Sequence, residues 1–519
     1  MTSTSLLRRL AFVVLIACPT AAQAEVALPP FFSDHMVLQR DTKAPIWGTA
    51  APGEAVVVRF RDQVAKTAAD DKGNWRVELK GLQAGGPDEL SVNNLKFTDV
   101  LVGDVWVGSG QSNMAGTARG YAKTDPVLAK YVAGSYPLIR GCSAKTGWQV
   151  SSPDSNGNFS AILFGFAVPL QEQLGVPVGI IVGAVGGTPS GAWVSEQRFK
   201  EDAPTQKLVA EYAKTYDQVL ADFNNRILPA WKKGAEARKA AGQEVGREPI
   251  APFKPGTAKN ATPGYLYEAH IRPIVGYGIR GVLWDQGEAR TAVGGVDQYT
   301  LMGALIRGWR ADWNAGEFPF LYVQKPSGGG CAFDPTNPVT NRADKFQELT
   351  AAQLAKEVTG PTNDGEWVEN HVRIMTYPNT GMVISSDLGG MTHPLNKSGY
   401  GRRAADVALG MVYGKPVEYY GPIFSSHTIE GDAVRVYFKH VGQGLAVRHS
   451  ERLQGFVIAG DDGKFYWADA KIDGDSVVVS SPQVKKPTVV RYGWSGRRPW
   501  ANLFNKEGLP AVPFSTSGS

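Results

Sequence analysis

Residues 99 to 116 read "DVLVGDVWVGSGQSNMAG", an apolar run that ends in a glycine-rich turn with one serine between two amides. The run is typical of a buried strand, so Ser112 follows a strand end, where open α/β sheets bind their ligands. Gly108, Gly110 and Gly116 allow tight backbone geometry, and a helix after the turn would direct its first amides at an anion. Taken alone, this pattern more often marks a helix N-cap than a nucleophile.

Three further stretches place useful chemical groups at the ends of apolar runs. In "VGAVGGTPSGAWV" the amide of Gly187 can face a ligand, and in "GVLWDQGEAR" the side-chain amide of Gln286 can donate to an oxyanion. In "SSDLGGMTHPLNKSGYGRR", His393 lies in a proline-containing loop before a helix. Together with Ser112, these stretches supply a nucleophile, hydrogen-bond donors and a base.

The chain divides into three regions of different texture. Residues 25–103 and 416–519 hold short apolar or alternating runs between turn clusters, which predicts a β module at each end. Residues 104–415 alternate buried-strand runs such as "VPVGIIVGAV" with helix-like segments such as "QYTLMGALIRGWRADW", which indicates α/β structure on a parallel sheet. Residues 201–260 interrupt this pattern with a polar, Ala/Lys-rich segment. We expect a helical insertion there, more typical of solvated helices than of a lid.

The N-terminus has the form of a secretory signal peptide. Arg8 and Arg9 precede the apolar run "LAFVVLIAC" and a small-residue site "AQA", so we expect residues 1–24 to be removed and the mature chain to begin at Glu25. The apolar run is too short for a permanent anchor, and no later stretch is suited to span a membrane. We therefore expect a periplasmic or secreted protein.

Charge, cysteines and histidines exclude several classes of function. The formal net charge is +5, and two of these charges, Arg8 and Arg9, leave with the signal, so nucleic acid is not an expected partner. Cys142 and Cys331 remain in the mature chain, and sequence alone leaves open whether they pair. The seven histidines form no recognisable zinc arrangement, so no metal or cofactor is predicted.

The stretches "GQSNM", "GGTPSGAW", "GVLWDQGE" and "HPLNKSGYGRR" resemble the motif blocks of the sialate O-acetylesterase group of SGNH hydrolases. The flanks "LPPFFSDHMVLQRDTKAPIWGTAAPGE", "GYLYEAHIRPIVGYGIRG", "GFVIAGDDGKFYWADAKIDGD" and "ANLFNKEGLPAVPF" are similar to other parts of that group. The resemblance covers nearly the whole mature chain except 201–260 and parts of 325–370. It implies a flavodoxin-like parallel-sheet domain of the SGNH type between β-sandwich-like modules.

The resemblance also implies a serine esterase that removes acetyl groups from sugar hydroxyls. Ser112 corresponds to the nucleophile of the group and His393 to its general base. The amides of Ser112 and Gly187, with the Gln286 side chain, correspond to its oxyanion donors. His393 would take the proton as Ser112 attacks, and water would then release acetate from an acyl-enzyme.

The acid of the triad departs from the family pattern. Members of the group commonly carry an aspartate two residues before the histidine, and here that position is Met391. We predict Asp387 as the partner of His393, with Glu288 as an alternative carboxylate and a Ser–His dyad oriented by a backbone carbonyl as the other possibility. A purely structural role for either carboxylate, capping a turn or binding backbone amides, is also open.

Arg290 is a second departure, since relatives usually carry a small polar residue there. Its guanidinium can bind a substrate carboxylate or form a surface ion pair, and we favour the surface ion pair.

The sugar is not fixed by the sequence. The family resemblance implies acetylated sialic acid, with acetylated xylan, xyloglucan or pectin as the alternative. The alternative from another class of function is a carbohydrate-binding protein that kept the fold but lost catalytic activity when it lost the triad acid. The presence of Ser112, Gln286 and His393 together favours the enzyme.

Overall fold

The computed structural model describes residues 25–258, 262–325, 332–358, 363–389, 392–496 and 498–517. The expected signal peptide, residues 1–24, lies outside these ranges, as do Cys331 and Met391. The possible pairing of Cys331 is therefore not addressed by the structure. Cys142 is buried and forms no disulfide with the residues that the structure describes, and burial raises the pKa of its thiol well above the usual value.

The first part of the chain is all β. Its strands are β1 (Val37–Gln39), β2 (Ala44–Thr49), β3 (Ala55–Phe60), β4 (Gln63–Ala68), β5 (Asn74–Leu79), β6 (Gly85–Val92) and β7 (Leu95–Gly110). Strands β4, β3, β6 and the first part of β7 pair antiparallel in that order, and β2 pairs with β5. Val58 and Phe60 alternate with exposed or half-buried neighbours along β3, as expected for a sheet with one face on the core.

The strand that leads to Ser112 belongs to two parts of the molecule. β7 is 16 residues long and crosses position 103/104, where the sequence predicted a domain boundary. Before that position β7 pairs with β6 and β1, and from Asp104 to Gly110 it pairs in parallel with β10 (Val178–Ala184) of the central sheet. The two parts also share one hydrophobic core, in which Phe31 of the first part lies edge-on to Tyr277 of the second, with ring centroids 5.6 Å apart.

The central part is an α/β layer. Its remaining strands are β8 (Tyr136–Ser143), β9 (Thr146–Ser151), β10, β11 (Gly281–Asp285), β12 (Phe320–Val323) and β13 (Thr380–Val383). Its helices are α1 (Ser112–Ala115), α2 (Ala118–Tyr121), α3 (Pro126–Ala133), α4 (Ala161–Leu174), α5 (Glu196–Glu201), α6 (Ala203–Ala213), α7 (Tyr216–Asp222), α8 (Leu228–Ala240), α9 (Tyr265–His270), α10 (Gln298–Trp313), α11 (Ala351–Leu354), α12 (Asn363–Arg373) and α13 (Lys397–Val407). Single 3₁₀ turns occupy Asn156–Asn158, Ser190–Ala192, Arg272–Ile274 and Ile374–Thr376, and π turns occupy Phe223–Ile227 and Ala408–Val412.

The order of the strands places the crevice of the sheet at β7. The sheet runs β13-β12-β11-β7-β10-β8-β9, and every pair is parallel except the β8–β9 hairpin at one edge. Apart from that hairpin, the strands lie in the chain order 2-1-3-4-5, the doubly wound order of flavodoxin-like sheets. The connections leave β7 in opposite directions, so a ligand is expected outside the carboxyl ends of β7, β10 and β11. The predicted parallel α/β sheet is present.

The segment 201–258 contains α6, α7, a π turn and α8, followed by an extended exposed stretch. Arg307 on α10 binds Asp202 at its start, and Pro255 pairs with Gly294 near its end. The inserted helices are therefore held at their base and are largely exposed along their length.

The last part of the chain is again β. Its strands are β14 (Ile423–Glu430), β15 (Ala433–Lys439), β16 (Leu445–Val447), β17 (Phe456–Ala459), β18 (Tyr466–Trp467), β19 (Asp469–Asp473), β20 (Ser476–Ser480), β21 (Val489–Tyr492), β22 (Leu503–Asn505) and β23 (Phe514–Ser515). Two four-stranded antiparallel sheets, β14-β15-β20-β19 and β18-β17-β21-β23, enclose their own core, which includes Val436, Val477 and Phe456. Tyr420 and Val512 join the core of the central part, so this β layer packs against it.

None of the helices in the described ranges combines the length and the apolar character needed to cross a membrane.

Candidate active site

Ser112 and His393 meet in the folded chain. Ser112 is the first residue of α1, directly after β7, and His393 lies in the loop between β13 and α13. The Nε2 atom of His393 is 2.8 Å from the Oγ atom of Ser112, although the two residues are 281 positions apart. Ser112 is half-buried and His393 is exposed, so both are within reach of solvent. The distance suits proton transfer from the hydroxyl to the imidazole.

The turn that carries Ser112 is held by close backbone contacts. Gly110 has a φ of 127°, and a Cβ atom there would lie 2.2 Å from the carbonyl oxygen of Asp285. The Gln111 N–H donates to that same carbonyl at 3.0 Å. On the far side of the turn, the Ser160 hydroxyl at the start of α4 donates to the Met114 carbonyl at 2.7 Å. Glycine at 110 is thus required by the approach of β11, and the turn is tied to both neighbours.

The glycine turn after β10 lies beside the nucleophile. A Cβ atom on Gly186 would be 3.4 Å from the Ser112 Cβ, and Gly187 adopts a φ of 72° in an open position. The Val185 N–H donates to the Gly110 carbonyl at 3.1 Å, which joins this turn to the end of β7. The Ser112 N–H belongs to the first turn of α1, so it has no acceptor within that helix. The two predicted backbone donors therefore come from adjacent loops.

The structure does not present Gln286 as a third donor. Its side chain is fully buried, and its Nε2 donates to the carbonyl oxygens of Thr188 and Arg290 at 3.3 and 3.2 Å. Two carbonyl acceptors require the NH₂ group on that side, so the amide orientation is defined. Gln286 thereby links the turn after β10 to the loop after β11, and it does not point a free N–H at Ser112.

The predicted acid, Asp387, lies in a buried ion pair away from the imidazole. Its two oxygens accept from Nη1 and Nη2 of Arg403 on α13 at 2.5 and 2.7 Å, a bidentate arrangement. Among the described residues its carboxylate receives no hydrogen bond from His393. The structure brings Ser112 and His393 together, but it does not bring Asp387 to them.

Glu288, the alternative acid, lies beneath the nucleophile. It accepts from the Gln111 side chain, from Asn113 Nδ2 at 3.2 Å and from Lys325 Nζ at 2.9 Å. Burial would raise its pKa, but the Lys325 ammonium, a backbone hydrogen bond and the charge of Lys397 together outweigh burial, and the pKa of Glu288 is lowered. Within the described part of the chain, the one hydrogen bond of His393 is the bond to Ser112. Neither candidate carboxylate contacts the imidazole.

Lys325 also pairs with a second carboxylate, Asp285, at 2.9 Å, and all three charged groups are buried or nearly so. Burial lowers the pKa of Lys325, but Asp285 and Glu288 together raise it above the ordinary value. Lys325 is therefore charged, and it neutralises part of the negative charge that Asp285 and Glu288 place next to the nucleophile turn.

Arg290 stacks on an aromatic ring. Its guanidinium carbon lies 4.9 Å from the centre of the Trp367 ring, and its backbone has a φ of 55°. The Arg290 carbonyl accepts from the Ser190 N–H at 3.0 Å as well as from Gln286. Among the described residues no carboxylate pairs with this arginine, so a cation–π contact replaces the expected surface ion pair.

Two buried residues at the site were not singled out from the sequence. Asn113 follows the nucleophile and is 1% exposed, and Lys397 begins α13 and is also 1% exposed. Lys397 stands directly after the helix N-cap Asn396, a position that usually faces solvent. Its place inside the quoted block "HPLNKSGYGRR" is the one signal that marks it. No cluster of three or more potential metal ligands is present in the ranges that the structure covers.

No protein-family model matches the chain. Sialate O-acetylesterase from Rattus norvegicus is 27% identical over 446 residues, which are 76% of this chain and 75% of the relative. The Homo sapiens sialate O-acetylesterase is 27% identical over 444 residues, 76% of this chain and 72% of the relative. A crystal structure of a carbohydrate acetylesterase from Xanthomonas citri is 30% identical with a TM-score of 0.72, and the match covers 95% of this chain and 99% of that one. By descent and by fold, this chain belongs to the sialate O-acetylesterase-like carbohydrate acetylesterases and is a carbohydrate esterase.

Proposed function

We propose that the chain is a serine esterase of the SGNH-hydrolase type that removes O-acetyl groups from carbohydrates through an acyl-enzyme intermediate. The observation that carries this proposal is the 2.8 Å separation of Ser112 Oγ and His393 Nε2 at the carboxyl end of β7. Sheet order, an exposed histidine and glycine turns on the neighbouring strand support it.

The proposed reaction uses the two residues in both half-reactions. His393 Nε2 takes the hydroxyl proton as Ser112 Oγ attacks the acetyl carbonyl carbon, and the amides of Ser112 and Gly187 bind the oxyanion. Collapse breaks the ester bond, and the imidazolium returns its proton to the departing sugar oxygen. His393 then takes a proton from water, the hydroxide attacks the acetyl-serine carbonyl, and acetate leaves as Ser112 regains its proton.

The imidazole works in this proposal without a carboxylate partner. Asp387 is engaged by Arg403, and Glu288 by Lys325 and the flanks of Ser112. The site is therefore a Ser–His dyad whose imidazolium is exposed to water. An exposed imidazolium is stabilised by solvent, which reduces the need for a buried acid.

We propose an acetylated glycan as the substrate and the periplasm or the extracellular space as the location. The relatives are named for sialate O-acetyl and carbohydrate acetyl ester hydrolysis. Acetylated sialic acid is the first candidate, and acetylated xylan, xyloglucan or pectin is the second. The location rests on the signal-like residues 1–24.

The first prediction tests the nucleophile. Ser112→Ala should lower kcat for acetate release from 4-nitrophenyl acetate, acetylated sialic acid and acetylated xylo-oligosaccharides by about 10³-fold or more, because the covalent step is lost. His393→Ala should be comparable, and the double variant should be no worse than either single one.

Ser109→Ala is the matched control, since Ser109 is a buried serine in β7, the strand that leads to Ser112, and its hydroxyl makes no hydrogen bond with the described residues. It should retain activity close to wild type. Wild-type activity in Ser112→Ala would end the proposal, and an inactive wild-type chain that still binds acetylated glycans would favour the carbohydrate-binding alternative.

A further inference from the structure

Asn113 joins the two halves of the catalytic pair. Its Nδ2 donates to the carbonyl oxygen of Thr392, the residue directly before His393, at 3.2 Å. Its Oδ1 accepts from Nζ of Lys397, four residues after His393, at 2.6 Å. The loop that carries the imidazole is therefore attached on both sides of His393 to one side chain, and that side chain is the immediate neighbour of Ser112.

The side-chain amide of Asn113 is also held by Glu288. Asn113 Nδ2 also donates to Glu288 Oε1 at 3.2 Å, and the other oxygen of Glu288 accepts from the side chain of Gln111. Glu288 thus binds the residues on both flanks of Ser112. Because an ionised carboxylate and a backbone carbonyl only accept, Glu288 and Thr392 fix the orientation of the Asn113 amide.

Contacts on several sides hold the amino group of Lys397 in place. The Nζ atom is 4.6 Å from the centre of the Tyr121 ring and 5.7 Å from that of Tyr400. Burial lowers the pKa of Lys397 to about 7, while Asp285, Glu288 and Asp125 favour its charged form and Lys325 opposes it. Ser398, the next residue, donates to Asp125 through its N–H and its hydroxyl, both at 2.8 Å. The start of α13 is therefore fixed, and with it the end of the histidine loop.

Replacing a buried charged group by a well-packed apolar one is often neutral or stabilising, so packing alone gives no reason for a lysine at position 397. The hydrogen bonds of Asn113, Lys397 and Glu288 converge on the peptide segments beside Ser112 and His393. We propose that these three residues are positioning residues that hold His393 against Ser112 through its loop, in place of a triad acid acting on the ring. The inference rests on the proposed function, since it assigns a role in the reaction of that same pair.

The second prediction tests this network with shape-conserving variants. Asn113→Asp places an oxygen where Nδ2 faces Glu288 and Thr392, so it should lower kcat on 4-nitrophenyl acetate by about 100-fold, the cost expected of a displaced catalytic group. Lys397→Met keeps the length of the side chain without its donor and should lower kcat by at least 10-fold, and Lys397→Gln, which can still donate to Asn113, should recover part of that loss. KM should change little, because none of the three residues is assigned to substrate binding.

The second readout is the rate at which a fluorophosphonate labels Ser112. This rate depends on the serine–histidine pair and not on the sugar, so it should fall in parallel with kcat. Asn502→Asp is the matched control: Asn502 is a buried asparagine in the last β layer that donates to the Arg448 and Arg452 carbonyls and accepts from the Gln454 N–H. It should lower the midpoint of urea unfolding without a change in the labelling rate.

The outcomes separate the two proposals. If Asn113→Asp and Lys397→Met are folded and label Ser112 as fast as wild type, the positioning role is wrong and the serine esterase stands. If they lose labelling only in proportion to the folded protein that they lose, the network is structural and the inference is again overturned. If Ser112→Ala keeps its activity and the wild type is not labelled at Ser112, both proposals fail.

Discussion

At the scale of single residues, the ion pair of Asp387 with Arg403 indicates a structural role for this carboxylate. Asp387→Asn would leave the buried guanidinium of Arg403 without its counter-charge, and breaking such a pair costs about 3 kcal/mol of unfolding free energy. We expect that loss in urea unfolding, with kcat of the folded enzyme within a few-fold of wild type. Arg403→Gln should behave alike. A drop in kcat of about 10³-fold at unchanged stability would instead identify Asp387 as the catalytic acid.

His371 gives a prediction about acid stability. The ring is 1% exposed beneath the loop of Gly287, and neither nitrogen has a hydrogen-bond partner among the described residues. Burial, aided by the Lys325 ammonium, lowers the pKa of His371 to about 3. Between the ordinary value near 6.5 and that value, the unfolded chain binds a proton that the native chain does not, so stability falls as the pH is lowered through this window.

The slope attributable to His371 approaches about 1.4 kcal/mol per pH unit. His371→Phe keeps an aromatic ring beside Trp367 and Tyr322 and removes the titration. Urea unfolding at pH 7, 5 and 4 should therefore show that the free energy of unfolding falls less steeply as the pH is lowered in the variant than in wild type. Equal slopes in the two proteins would show that another group controls stability in acid.

At the scale of elements, the contact between β7 and β11 sets where the nucleophile stands. Gly110→Ala would force a Cβ atom into the Asp285 carbonyl, so the strand end must shift and kcat should fall by about 100-fold. Gly175, at the end of α4, also has a positive φ of 66° but open space around it. Gly175→Ala should cost only the strain, about 1 kcal/mol in urea unfolding, with activity retained. Similar kinetic effects in both would contradict the close-approach argument.

The elements also show what sequence patterns can and cannot predict. Apolar runs of strand length predicted the parallel sheet, and the rule that ligands bind at strand ends led to Ser112 and to the glycine turn after β10. His393 was found by its place in a loop late in the chain. The sheet is present as predicted, and Ser112 and His393 lie within hydrogen-bonding distance, because each expectation depends on a local pattern or on topology.

Sequence patterns did not predict which partners the buried side chains bind. Asp387 pairs with Arg403 and Gln286 donates to two backbone carbonyls, and neither choice is visible in a local pattern, because each depends on how a loop lies against another element. Buried Lys397 was missed for a related reason. A lysine at a helix start is normally solvated, and only the packing of α13 on the nucleophile turn encloses it.

At the scale of the whole molecule, the first β part and the central part are predicted to unfold as one unit. A chain that begins at residue 104 would lose half of β7 and the rings that pack on Tyr277, so it should be insoluble or lack a cooperative unfolding transition. Trypsin cleavage after Arg247, in the exposed stretch beyond α8, should in contrast leave an active, associated pair of fragments. A stable, active fragment from 104 onward would refute the shared-strand interpretation.

The length of β7 also limits how this protein can be rearranged. A strand advances about 3.3 Å per residue, and successive side chains point to opposite faces of the sheet. One residue added or removed within β7 would therefore move Ser112 by about 3.3 Å. It would also turn every later side chain of the strand to the other face. The pairings of β1 at Leu101 and of β10 at Asp104 fix the register on both sides of the junction. A chimaera that exchanges the first β part must therefore keep the residue count from Leu95 to Ser112, while the turns between the earlier strands are free to vary in length.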